Sequence, residues 1–76
     1  MAKEGKLQPV EGMPAYQERV VVEHNELVEK QNALNDFIVG DNFTKVDSAE
    51  RERLRLQYNI MTAYILVLKQ RISNFA

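Results

Sequence analysis

Residues 54–75, LRLQYNIMTAYILVLKQRISNF, place apolar side chains at Leu54, Tyr58, Met61, Ile65, Leu68, Ile72 and Phe75. The intervals alternate between four and three, a heptad stripe that predicts one helix with a face committed to another helix. A second row, Leu56, Ile60, Ala63 and Val67, follows the same spacing beside the first. This helix is therefore apolar over more of its circumference than a single partner covers, and it calls for more than one neighbour.

The rest of the chain limits what those neighbours are. At 76 residues the protein is one domain, near the size at which a lone hydrophobic core is marginal. There is no cysteine, and one histidine without thiols gives no zinc site, so no metal or cofactor is expected. Self-association is the remaining stabiliser. The overall charge of −1 hides an asymmetry. Residues 14–39 set Arg19 and Lys30 against Glu18, Glu23, Glu26, Glu29 and Asp36, whereas residues 48–76 set Arg51, Arg53, Arg55, Lys69 and Arg71 against Glu50 and Glu52. The two halves attract each other. A pI near 5.8 gives no case for bulk DNA binding. The uncharged run from Gln57 to Leu68 is 12 residues, short of the roughly 20 that a membrane span needs. Residues 1–13 lack the apolar core of a signal peptide, so a soluble, intracellular protein is expected.

Met1 to Met13, with Gly5, Pro9 and Gly12, reads as an arm holding at most one short helical turn. Pro14 suits the start of a first helix over about 14–39. Its principal stripe is Val20, Leu27, Leu34 and Ile38, with Tyr16 one turn earlier; Val21 and Val28 form a second strip. His24 and Gln31 occupy positions that the stripe would otherwise fill with leucine, so the seam contains polar groups that need partners. Gly40 ends the helix in the left-handed conformation. Phe43 and Val46 fold back over the connection, and Asp47-Ser48-Ala49-Glu50 supplies a capping-box-like start to a second helix over about 48–74. So short a connection makes the two helices antiparallel. The expected fold is all-α: an N-terminal arm, 1–13, then a helical hairpin, 14–76, that leaves a second apolar surface for copies of itself.

The ingredients of catalysis are scarce, and no enzyme is expected. His24 lies in mid-helix, Ser48 and Ser73 lack a nucleophile elbow, and no glycine belongs to a phosphate-cradling loop. Asn42-Phe43-Thr44 is a glycosylation sequon without a secretory signal to make it meaningful. The arginines 51, 53 and 55 are interleaved with Glu50 and Glu52 and have no aromatics between them, which weakens a nucleic-acid reading.

Binding remains. Pro14-x-Tyr16-Gln17-x-Arg19-Val20, the Phe37-Ile38 pair before the turn, and Leu54, Gln57, Met61, Tyr64, Leu68, Arg71 and Ile72 after it form a pattern that resembles the phage anti-CBASS cyclic-oligonucleotide sponges. The resemblance covers about residues 14–75 and excludes the arm. It implies a homo-oligomer of helical hairpins, a hexamer built as a trimer of dimers, in the cytoplasm of an infected bacterial host. It further implies sequestration, without degradation, of cyclic dinucleotides such as cyclic GMP-AMP and of cyclic trinucleotides, which blocks CBASS antiviral signalling. The rival reading is a structural or regulatory hairpin that binds a protein partner through its second apolar stripe.

A cyclic dinucleotide presents two purine faces and two phosphates, so its site needs flat side chains and cations. On the resemblance, Tyr16 and Lys30 are the candidates. Fourteen residues apart, they lie within about 40° of each other around the helix but about 21 Å apart along it. Two antiparallel copies are needed to bring both to one ligand. The bland alternatives are that Tyr16 packs at the helix start and that Lys30 pairs with Glu26. The resemblance also implies a second pocket for a cyclic trinucleotide at Arg71, lined by Asn32, against the alternative of Arg71 as a surface charge near a helix C-terminus.

Overall fold

The computed structural model describes residues 5–75; residues 1–4 of the arm, and residue 76, lie outside the described part. Helix α1 spans Ala15–Ile38, a 3-10 turn covers Asp41–Lys45, and helix α2 spans Ser48–Ser73. The two helices pack as an antiparallel hairpin in a rod of 48 × 18 × 16 Å.

Local chemistry sets the ends of the helices. Pro14 precedes α1 with its carbonyl accepting the amides of Gln17 and Glu18, each at 3.0 Å, and no side chain caps this end. At the other end Gly40 is not left-handed as expected: its φ is −85°, and Val39 and Gly40 close the helix by donating to Asn35 and Phe37 carbonyls. Glycine matters here for space. A Cβ at Gly40 would stand 3.1 Å from the Asp36 carbonyl oxygen. Phe43 is buried in the connection, edge-on to Phe37 at 6.0 Å, with the Arg55 guanidinium 5.0 Å over its ring. Asp47 caps α2 by accepting the Ala49 amide at 3.1 Å, while Glu50 turns to Arg53 instead of completing the capping box.

The stripe of α2 faces α1 as its spacing predicts. Ile65 and Leu68 are buried, and Leu54, Tyr58, Met61, Ile72 and Phe75 are half-buried. In α1 the seam is rotated from the expected stripe. Its buried residues are Gln17, Val20, Val21, His24, Val28, Gln31 and Asn35, which leaves Leu27, Leu34 and Ile38 half-buried and Tyr16 61% exposed. The reason lies in how α1 divides its apolar residues between two strips. Centring the seam between them buries part of both, and with them the polar side chains that lie between. Gln31 donates to Thr62 Oγ1 at 2.6 Å and to the Tyr58 carbonyl at 3.3 Å, so one amide ties both helices. His24 Nδ1 meets Asn25 Oδ1 at 3.0 Å, whereas His24 Nε2 and Asn35 Oδ1 are buried without a partner.

Among its described residues, 5–13, the arm holds no helix. It is docked along the hairpin: Lys6 pairs with Glu29 at 2.8 Å, and Asn25 reads the Leu7 main chain in both directions, accepting its N–H and donating to its carbonyl, each at 2.8 Å. A turn closed by Met13 N–H to the Val10 carbonyl at 3.0 Å, with Gly12 at φ 81°, joins this segment to Pro14. A left-handed residue is required at that turn, and glycine supplies it.

The seam should dominate stability. Leu68→Ala, at a fully buried position, is expected to cost about 2–5 kcal/mol in chemical denaturation. Leu66→Ala, on the exposed side of the same helix, should stay within about 0.5 kcal/mol of the parent. Equal effects at the two positions would contradict the packing described.

Candidate functional site

Tyr16, Glu23, Lys30 and Phe37 recur at seven-residue intervals along α1 and so form one row on its surface. The rotated seam leaves that row on a flank of the hairpin, accessible beside α2. Tyr16, Lys30 and Phe37 are exposed, and Glu23 accepts a hydrogen bond from the Tyr64 hydroxyl, which fixes α2 against the middle of the row. Glu23 and Tyr64 are the members that sequence reasoning did not assign. Their signal was the heptad position of Glu23 midway between Tyr16 and Lys30, with nothing in the sequence to pair it with a residue 41 positions away.

The Tyr16 ring is open to solvent, its hydroxyl receiving only a long contact of 3.5 Å from Gln17 Nε2. Lys30 forms no ion pair with Glu26 or any other described residue. A stacking surface and an unengaged cation thus share one flank, with a carboxylate held between them by a tyrosine. The helix keeps them about 21 Å apart, so one chain does not bring them to one small ligand.

Next to this flank lies the outer row of α2. Leu56, Ile60, Ala63 and Val67 are all exposed, Ile60 by 59%, as is Tyr64. Arg71 is exposed in the last turn of α2, beside the beginning of α1, and Asn32 is half-buried midway along α1. Asn32 is also about 160° round the helix from Lys30. A single hairpin therefore does not bring Arg71 and Asn32 together. Two further arginines of α2 are engaged within the chain: Arg53 with Glu50 at 2.7 Å, and Arg55 with Glu52 at 3.6 Å and with the Phe43 ring. The His24 ring is fully buried in the seam. The Lys6 ammonium holds the exposed Glu29 carboxyl below its ordinary value of 4.5, through their hydrogen bond and then their charge attraction. Among the described residues no helix is long and apolar enough to cross a membrane.

Comparison with known proteins places this hairpin in context. The family model described as Sequestin matches residues 14–74. The chain is also 40% identical over 63 residues to a protein of Enterobacteria phage T4 described as "Uncharacterized 7.5 kDa protein in denB-rIIB intergenic region", an alignment covering 83% of this chain and 98% of the relative. No solved structure matches the chain significantly.

The Lys6–Glu29 pair has a pH signature of definite sign. Because the folded-state value of Glu29 is depressed, the stabilisation from this pair is present above 4.5 and is lost as pH falls through the lower folded value. Following the Glu29 side-chain carboxyl carbon by NMR should give a midpoint below 4.5, moving up in Lys6→Ala. Coincident titrations in parent and variant would show that the pair is not formed.

Proposed function

The chain belongs to the Sequestin family, and from that membership we propose that it is a phage protein that captures cyclic dinucleotides such as cyclic GMP-AMP, and releases them unchanged, in the cytoplasm of an infected bacterium. The observation that carries this reading is the flank of α1: an open Tyr16 ring and an unengaged Lys30 cation, in one row, too far apart for one chain to use on one ligand. Two antiparallel copies set Tyr16 of one beside Lys30 of the other, twice over, matching a ligand that is itself nearly two-fold. Aromatic stacking contributes about 1–3 kcal/mol per base. Each lysine adds a phosphate contact that weakens with salt.

The exposed row Leu56, Ile60, Ala63 and Val67 supplies the surface for assembly, since so small a chain leaving these side chains in water gains by covering them. Assembly as a trimer of dimers would bring Arg71 of one copy near Asn32 of another, and that junction is the proposed pocket for a cyclic trinucleotide. Capture of this kind is stoichiometric. It blocks signalling when binding is tight and release slow, because the host's effector competes for the same free ligand.

Two measurements test the reading. Solution mass should exceed that of a dimer, and Ile60→Glu or Val67→Glu should reduce it while the hairpin stays helical. A monomer at micromolar concentration would overturn the shared site. In the second, cyclic GMP-AMP is incubated with the parent, Tyr16→Ala, Lys30→Ala, and a mixture of the two variants, then released by heat. Each variant alone should lose binding with little change in melting temperature, and the mixture should recover part of it by forming one intact half-site. Degraded nucleotide would point to an enzyme, and no capture by the parent to a hairpin that binds a protein.

A further inference from the structure

Helix α1 starts without the usual device. Pro14 provides no side-chain cap, whereas a Ser, Thr, Asp or Asn in its place would accept an amide of the first turn. Two amides of the first turn, Gln17 and Glu18, depend on the single Pro14 carbonyl. That turn also carries Tyr16. Left to itself it should fray, as uncapped helix ends do.

The arm meets the hairpin at two places, the first at Asn25 in the middle of α1 and the second at the helix start. At the first, Asn25 Oδ1 receives the Leu7 N–H while its Nδ2 donates to the Leu7 carbonyl. The contact with His24 Nδ1 at 3.0 Å fixes which way the Asn25 amide faces, and His24 is itself locked in the seam. Leu7 lines an open recess with Lys69, Gln70, Ile72 and Ser73 of α2. At the second, residues 10–14 line a recess with Gln17 and Phe75. Gln17 is buried there, one residue from Tyr16.

We propose that Asn25 is a positioning residue: by holding the Leu7 main chain it straps the arm across the open end of the hairpin, and the strap does for the first turn of α1 what a cap does elsewhere, fixing the Tyr16 ring for its ligand. The part that concerns Tyr16 rests on the function proposed above. The part that concerns the helix start does not.

Two full-chain variants break the strap from opposite sides. Asn25→Leu removes both hydrogen bonds to Leu7 and the contact with His24, and Leu7→Pro removes the donating N–H and the Leu7 side chain while leaving the sequence of both helices and the His24 contact unchanged. In each, hydrogen exchange at the Gln17 and Glu18 amides should speed up about tenfold relative to Val28 in mid-helix, because the opening is local. Capture of cyclic GMP-AMP should fall several-fold in both. In a Tyr16→Ala background neither change should cost anything further, since coupled residues are not additive. Unchanged exchange at Gln17 and Glu18 in both variants overturns the strap. Faster exchange with equal binding losses in the presence and absence of Tyr16 overturns its link to the ring. If the parent captures no dinucleotide the sequestering function fails, and the exchange rates still decide whether Asn25 holds the helix start.

Discussion

The seam between the two helices joins unequal faces, and most of what is distinctive in this structure follows from that inequality. Helix α2 offers a continuous apolar stripe with Ile65 and Leu68 at its centre, while α1 offers valines interrupted by Gln17, His24, Gln31 and Asn35. A polar group buried without a partner costs about 1–3 kcal/mol, a cost the seam carries at His24 Nε2 and Asn35 Oδ1 and avoids at Gln31. Gln31 finds two on α2, Thr62 Oγ1 and the Tyr58 carbonyl. Sliding α2 by one turn would strand that amide, and it therefore sets the register as well as joining the helices.

Burying the polar row decides what is left outside. With the seam centred between the apolar strips of α1, Tyr16 moves to the surface and Leu27 and Leu34 become rim residues. Lys30 is carried to the same flank and forms no ion pair with a described residue. A hairpin centred on the leucines would have drawn Tyr16 into the core and left Val21 and Val28 in water. The outer row of α2, unused by α1, is the counterpart: one chain cannot cover it, and a further copy can. The exposed outer row of α2 and the exposed flank of α1 thus have the same origin, the incomplete cover that two helices give each other.

Distance along a helix supplies the remaining constraint. A rise of about 1.5 Å per residue cannot be shortened by side-chain rotation, so one chain does not bring Tyr16 and Lys30 to one small ligand. The arm bears on this arrangement from the other side of α1, where Asn25 and Glu29 hold Leu7 and Lys6. A stacking residue in the first turn of an uncapped helix is poorly fixed unless something outside the helix holds it.

The sequence by itself determined the two helices to within a residue or two at each end, their antiparallel sense, the apolar stripe of α2 that faces α1, the outer row that does not, the burial of Phe43 and the Asp47 cap. Each is a matter of spacing or of local turn chemistry, and such signals lie within a few residues of one another. The pattern of Tyr16, Phe37, Tyr64 and Arg71 also pointed to the family that residues 14–74 match. Tertiary structure alone decided the rest. Which of two strips on α1 forms the seam depends on the balance of burial across both helices, which no periodicity within α1 contains. Gly40 serves through a close approach to the Asp36 carbonyl and not through a left-handed φ, a distinction visible only once the chain has folded back. The pairs Glu23 with Tyr64 and Asn25 with Leu7 join residues far apart in the chain by single polar contacts. An arm of mixed composition carries no periodicity to announce where it docks.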